Sequence, residues 1–295
     1  MNKRINRRTI CSVLIVVLAV SLIIGCAGKK PPWGDAKTGF VLAYQLQKDQ
    51  VWKYETKTTQ VQALEMMGNA METSTDIVSN YSIIGVGLDE KNNVTSKIKM
   101  ASGTIKTKSP QGEQAFDLSA IINKDFGLSF TRSGKKVKFS DPDSIKVDFG
   151  PGGKRSSESF FKDPLPRLAQ QPVKIGGTWT ISQVDTVDEG GMEIVVDMKT
   201  THTLTGLEKV NEEECFKIIS KAAFALTGTG ERMGASLAME GDGDVNSTWY
   251  FAYKKGTFIE SNTEVLMEGS VNVSGGQNMI IPITQETKVE VKLVK

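Results

Sequence analysis

Histidine occurs once in the 295 residues, at His202, and that scarcity excludes most nucleophilic hydrolase chemistry. A serine or cysteine nucleophile is normally activated by an imidazole base. His202 stands in Thr200-Thr201-His202-Thr203-Leu204 with no nucleophile motif beside it. HExxH, GxSxG and the P-loop pattern are also missing. Cysteine is nearly as rare, at Cys11, Cys26 and Cys215. Helical periodicity is scarce too. The best stretch, Ser156 to Leu168, is cut by Pro164 and Pro166. Metal-ligand spacing has one weak instance, Asp242-Gly243-Asp244-Val245-Asn246. A calcium loop would want glycine at its sixth position and glutamate at its twelfth, where this chain has Ser247 and Tyr253. The segment reads instead as a polar β-turn. Asp188-Glu189 and Glu212-Glu213-Glu214 also fall at expected turns, where solvation explains the acids. The chain is expected to be no enzyme and to need no cofactor or metal.

What is present begins at the N-terminus. Lys3, Arg4, Arg7 and Arg8 precede a run from Cys11 to Gly25 that carries no charge. A basic segment followed by about fifteen apolar residues fits a secretory signal, whereas a membrane-crossing helix wants about 20. Ile23-Ile24-Gly25-Cys26 resembles a bacterial lipobox, with an aliphatic residue, then a small one before cysteine. The resemblance implies cleavage between Gly25 and Cys26, and lipidation of the Cys26 thiol. Two or three acyl chains would hold the protein on a membrane without a spanning helix. Ala27 follows the cysteine, which leans towards an outer-membrane address facing the periplasm if the host has two membranes.

Processing changes the charge. The removed residues 1–25 hold four of the 36 basic side chains and none of the 34 acidic ones, so the remainder carries 32 against 34. That balance offers nothing to nucleic acid. It also leaves Cys215 as the single thiol not lipidated or removed, so no intramolecular disulfide forms. Glu214-Cys215-Phe216-Lys217-Ile218-Ile219 reads as a buried strand, with Cys215 an inert core thiol.

Residues 26–39 read as the lipidated cysteine and a flexible tether. From Phe40 onwards the pattern has period two. Phe40, Leu42, Tyr44 and Leu46 share one parity, as do Trp52 and Tyr54, then Val94, Ile98 and Met100, then Val289, Val291 and Leu293. Such alternation marks strands with one buried and one wet face. Gly68-Asn69, Lys91-Asn92-Asn93, Ser133-Gly134, Gly190-Gly191 and Gly275-Gly276 supply hairpin turns. The fold class is all-β and mainly antiparallel, with little helix.

An internal repeat divides the chain. Gly85 to Val94 (GVGLDEKNNV) pairs with Gly206 to Cys215 (GLEKVNEEEC). Trp52 pairs with Trp179, and Phe130 to Gly134 with Ala252 to Gly256. The spacing predicts two tandem curved meanders or half-barrels, 40–155 and 173–295, joined by a connecting segment at 156–172. Leu165 to Trp179 (LPRLAQQPVKIGGTW), followed by Thr201 to Ile218, resembles a pattern of uncharacterised bacterial repeat lipoproteins. More distantly, the layout is similar to the LolA/LolB-like lipoprotein-carrier half-barrels. That resemblance implies an antiparallel sheet curled around an apolar cavity that takes acyl chains.

Methionine is clustered near the expected hairpins, at Met66, Met67, Met71, Met192, Met233 and Met239. Flexible thioethers suit either core filling or an adaptable apolar surface. The leading expectation is a membrane-anchored lipoprotein whose β domains bind an apolar ligand, a lipid or acyl chain, or an envelope partner. The alternative is a scaffold subunit of an envelope complex, recruiting partners through strand edges. A hydrolase working through two carboxylates is the third and weakest reading.

Overall fold

The computed structural model describes residues 33–294 apart from 67, 150–152, 190, 233 and 276–277. The signal segment 1–25, the Gly25–Cys26 cleavage and lipidation site, and the tether up to residue 32 lie outside the described residues. Two short strands, β1 (Gly34–Asp35) and β2 (Gly39–Phe40), pair with each other. The first half then contributes β3 (Val51–Met66), β4 (Asn69–Leu88), β5 (Val94–Ser109), β6 (Gly112–Phe116), β7 (Asp125–Phe130) and β8 (Lys136–Ser140). A small pair follows, β9 (Lys146–Asp148) and β10 (Lys154–Ser156), and then a 3-10 helix over Ser157–Phe161. The second half is a run of long hairpins: β11 (Thr178–Glu189), β12 (Met192–Val210), β13 (Glu213–Arg232), β14 (Ala235–Ala252), β15 (Thr257–Ser274) and β16 (Met279–Val294).

The chemistry of one strand shows why these segments extend. β16 sends Ile283, Gln285, Thr287, Val289, Val291 and Leu293 to the inner face, and Glu286, Lys288, Glu290 and Lys292 to solvent. β-branched residues pack well on a pleated surface. The charged positions make pairs two residues apart on the outer face: Lys288 with Glu286 at 2.8 Å, and Lys292 with Glu290 at 3.3 Å. These exposed pairs add little stability. They keep the outer wall wet and fix which face turns inward, because a one-residue slip would bury every charge.

The sequence repeat predicts two half-barrels, and here the structure differs. All the long strands join one 12-stranded sheet in the order β11-β12-β13-β14-β15-β16-β3-β4-β5-β7-β8, with β6 also on β5. The join is the antiparallel pairing of β16 with β3, in register from Ile283 opposite Leu64 to Leu293 opposite Tyr54. Separate half-barrels would leave these two long strands as bare edges. Pairing them satisfies both rows of backbone groups. The landmarks of the repeat lie in this sheet as follows. Trp52 is in β3 and Trp179 in β11. Gly85 and Gly206 each mark a shift of register, in β4 and β12. Phe130 and Ala252 end β7 and β14.

A second difference concerns Phe40 to Leu46. Their alternating burial holds, with Phe40, Leu42, Tyr44 and Leu46 all buried. Beyond Phe40, however, this stretch is in no strand. Its backbone bonds go to turns and to the connection between the halves: Phe40 N–H to the Val173 carbonyl at 2.8 Å, Tyr44 N–H to Arg132 at 2.8 Å, and Gln45 N–H to Gly256 at 3.0 Å. It is an extended plug across the end of the sheet where the β7–β8 and β14–β15 turns lie. There it packs in the main core with Trp52, Tyr54, Phe130, Phe216, Phe251 and Phe258. Period-two burial identifies an extended chain but not its hydrogen-bond partner.

Gly134 sits where plug and turn meet. Its φ is +87°, a conformation L side chains rarely adopt, and an added methyl would lie 2.6 Å from the Pro166 carbonyl oxygen and 2.7 Å from the Tyr44 ring. Gly134→Ala is expected to destabilise the protein by more than about 1 kcal/mol. Urea unfolding checks this, with Gly153→Ala as the control, since Gly153 shares a positive φ (+80°) but faces open space.

Candidate functional site: the cavity inside the curled sheet

The sheet is curled enough for β4 and β11, seven strands apart in sheet order, to face the same cavity. Inner-face residues of β3, β4 and β11 to β16 line it, together with residues 160–167 of the connection. Its volume is about 430 Å³, in the range of small-molecule sites. The apolar wall includes Tyr81, Phe161, Leu165, Ile181, Met198 and Val291. The polar atoms are mainly hydroxyls: Thr56, Ser79, Thr200, Ser220, Ser247, Ser261 and Thr263. Ser247 and Thr263 bond each other across β14 and β15 at 2.7 Å.

The connecting segment is fixed in place by aromatic side chains from the sheet and the plug. The Tyr44 hydroxyl donates to the Pro166 carbonyl at 2.8 Å, Tyr81 to Pro164 at 3.3 Å, and the Trp179 indole N–H to Arg167 at 3.2 Å. Pro164 and Pro166 explain why this stretch needs them. Proline has no N–H and breaks regular structure, so its flanking carbonyls are free to accept from side chains. Of the candidate helical stretch Ser156 to Leu168, the structure forms the 3-10 helix Ser157–Phe161. Burial pushes the Tyr44, Tyr54 and Tyr81 phenols above their ordinary values, so all three remain donors.

His202 lies on the cavity wall and is 6% exposed. Its Nδ1 is 2.6 Å from Ser220 Oγ, and the Trp249 indole N–H donates to the same oxygen at 2.7 Å. Ser220 Oγ thus accepts from Trp249 and shares one proton with Nδ1, the imidazole tautomer deciding which of the two donates. Trp179 stacks on the imidazole with centroids 5.0 Å apart. Burial lowers the His202 pKa to about 4. In the sequence His202 stands on an expected strand among threonines, with no cysteine or serine motif near it. The partner is Ser220 on the next strand, its direct opposite in the β12–β13 register. The available signal was parity: the inner-face sets Thr200-His202-Leu204 and Ile218-Ser220-Ala222 belong to the two arms of one hairpin.

Other predicted positions fall elsewhere. Cys215 is a free, fully buried thiol in a small cluster with Ala252 and Ile259, and burial raises its pKa to about 11, as an inert core cysteine requires. Asp242 to Asn246 is not a turn. It lies within β14, where Asp242, Asp244 and Asn246 alternate outward and Gly243 and Val245 inward. The alternation of polar residues with Gly and Val fits a strand as well as a turn, and the flanking pairing decides it. Asn211 and Glu212, with φ of 50° and 70°, make the β12–β13 turn, and the following Glu213 and Glu214 pair with Lys255 and Lys254. Among the described residues no three His, Cys, Asp or Glu side chains converge on a metal position. Met239 packs on a second apolar cluster around Leu226, Met267 and Ile283, while Met67 and Met233 lie outside the described residues.

The fold and cavity define an antiparallel β protein in which one sheet wraps a mixed apolar and hydroxyl-lined interior. No family model and no curated protein matches the chain. Solved structures similar to it include the COG4313 outer membrane channel from Pseudomonas putida F1, at 8% identity over 85% of this chain and 98% of that one, with a TM-score of 0.27. The Pseudomonas aeruginosa channel OccK5 (OpdH) shows 8% identity over 85% and 100%, with a TM-score of 0.22. A DUF1329 family protein from Desulfovibrio piger shows 10% identity over 81% and 83%, with a TM-score of 0.15. These findings overturn the expected membership of a repeat-lipoprotein family and the likeness to lipoprotein-carrier half-barrels. The pattern that suggested them, strand parity and turn spacing, is common to antiparallel sheets at large. With TM-scores this far below 0.5, the channels do not set the fold or function of this chain either.

Proposed function

We propose that this chain is a lipid-anchored envelope protein whose curled sheet holds an apolar ligand without catalysing a reaction. The observation that carries this reading is the cavity of about 430 Å³, lined by aromatic, aliphatic and hydroxyl side chains of eight strands and by residues 160–167. A non-catalytic role is supported by how the charged groups of the lining are engaged, Lys162 with Asp185 at 3.3 Å and Arg167 with Asp163 at 3.6 Å. His202 is bonded to Ser220, which also accepts from Trp249, and among the described residues no carboxylate is bonded to the His202–Ser220 pair. The anchor rests on the lipobox-like Ile23 to Cys26. The outer wall favours a tethered domain over a barrel spanning lipid. Lys53, Glu55 and Lys57 of β3 and Glu286, Lys288, Glu290 and Lys292 of β16 face outward, where a lipid-facing wall would be apolar. On this reading the membrane is the partner through Cys26, and the domain faces the periplasm from the outer membrane in a host with two. The matching landmarks in the two halves support one duplicated unit now merged in a single sheet.

The test expresses the full chain in an exporting bacterial host, beside Cys26→Ser. The wild type is expected in the membrane fraction with a mass matching cleavage before Cys26 plus acyl chains, and the variant without that mass. A lipid extract of the purified wild type is expected to contain a co-purifying amphiphile in near-equal amount. An unmodified cysteine would defeat the anchor, and an empty extract from folded protein would defeat the ligand. The second reading, a scaffold subunit, draws on β11, a 12-residue edge strand paired on one side alone. An empty extract together with partner capture would favour it.

A further inference from the structure

Beside the cavity, sharing Lys162 with it, lies a cleft of about 570 Å³. It opens where the two ends of the sheet approach, between β8, the β9–β10 pair and β11. Lys136, Lys146, Lys154, Arg155 and Lys162 line it, against two acids, Glu158 and Asp185. Both acids are already engaged, Glu158 with Lys136 at 2.6 Å and Asp185 with Lys162 at 3.3 Å. The Arg155 guanidinium lies over the Phe149 ring at 4.7 Å. Lys146 and Lys154 make no ion pair among the described residues, although Asp148 is opposite Lys154 in the β9–β10 register. Ser156, Ser159 and Thr186 add hydroxyls to the same walls. Lysine and glutamate alternate along the outer face of β16, whereas this cleft, on a nearly neutral chain, gathers five cations against two acids.

The cleft and the cavity are neighbours. Lys162 lines both, and the short run Glu158-Ser159-Phe160-Phe161 gives its polar members to the cleft and its aromatic members to the cavity. A chain lying against Phe160 and Phe161 thus has cationic donors within reach on leaving past Lys162. Anionic oxygens recruit such donors through charge-assisted hydrogen bonds. Resting on the cavity reading above, we infer that the ligand is an anionic amphiphile, its apolar chain in the cavity and a phosphate-type head group at Lys146, Lys154 and Lys162. The Lys162–Asp185 pair stands at the junction of the two spaces, and an anionic head competes with Asp185 for Lys162.

The experiment uses the full-length protein held in nanodiscs of zwitterionic phosphatidylcholine, with empty nanodiscs as the blank. Three probes are titrated below micelle-forming concentrations: octyl phosphate, octyl glucoside and inorganic phosphate. Tryptophan fluorescence reports binding, since Trp249 lines the cavity. Octyl phosphate is expected to bind about tenfold more tightly than octyl glucoside, with a preference that fades as salt rises. The double variant Lys146→Glu, Lys154→Glu is expected to lose that preference and keep its affinity for octyl glucoside. Equal affinity for the two octyl probes in the wild type would overturn the inference and leave the cavity reading standing. No binding of either would overturn both. Inorganic phosphate competing as strongly as octyl phosphate would show a free-anion site unconnected to the cavity, and so would also overturn it.

Discussion

Acidifying the protein from pH 7 to pH 4 is expected to remove about 3 kcal/mol of folding stability through His202 alone. Its pKa is lowered from 6.5 to about 4 by burial. The sign follows from the direction of that shift. Below pH 6.5 the histidine of the unfolded chain takes up a proton, while the folded one stays neutral until about pH 4. The unfolded state then holds more protons, so stability falls as pH drops through this window and is complete above it. The geometry explains the reluctance to protonate. Nδ1 is bonded to Ser220 Oγ at 2.6 Å, the ring is stacked on Trp179, and among the described residues no carboxylate is bonded to it. Urea unfolding across pH 4 to 7 reads the effect. His202→Gln is expected to flatten the curve through this range, since glutamine offers an acceptor to Ser220 but no titration. Asp89, Asp125 and Asp141, whose carboxyls are held below their usual range by hydrogen bonds and lysines, are common to both proteins, so the difference isolates His202. An identical pH slope in the variant would show that the imidazole is not buried as described.

The same residue shows what local pattern does and does not encode. That His202 lies on a half-buried strand is legible from Thr200 to Leu204, because parity is a local property. That it meets Ser220 depends on the register of a hairpin, and register is set by the turn at Asn211 and Glu212 and by a shift between Leu204 and Gly206. Closure is more distant still. The pairing of β16 with β3 joins segments more than 200 residues apart, and nothing in Val289-Val291-Leu293 names Tyr54 or Thr56 as a neighbour. Repeat spacing suggests two halves, and the structure shows one continuous sheet. The spacing carried no information on whether their outer strands would meet. The plug at Phe40 to Leu46 was misassigned to the sheet for the same reason: burial alternates in any extended chain that crosses a core. The cavity was expected from a family resemblance that the comparisons do not uphold. It rests instead on inner-face hydroxyls and aromatics that only the assembled sheet brings together.

The second large effect belongs to Trp249. Trp249→Ala is expected to cost about 3–5 kcal/mol, the range for deleting a buried aromatic. The indole is 2% exposed and lies edge-on to Trp179, His202 and Phe258 at 6.4, 6.0 and 6.5 Å. Its removal merges its own volume with the cavity and strips an N–H from Ser220. Two terms therefore combine, lost packing and a lost hydrogen bond, and Trp249→Phe separates them. Phenylalanine keeps most of the ring but donates nothing, so its cost is expected to be about 1–2 kcal/mol. The Ser220→Ala variant probes the other end. It leaves the Trp249 N–H and His202 Nδ1 both buried without their partner, and should cost as much as Trp249→Phe or more. Because the three groups share one hydroxyl, the losses are expected not to add: the Trp249→Phe, Ser220→Ala double variant should be less unstable than the sum of its parts. Additive losses in urea unfolding would mean that Ser220 does not link the two rings.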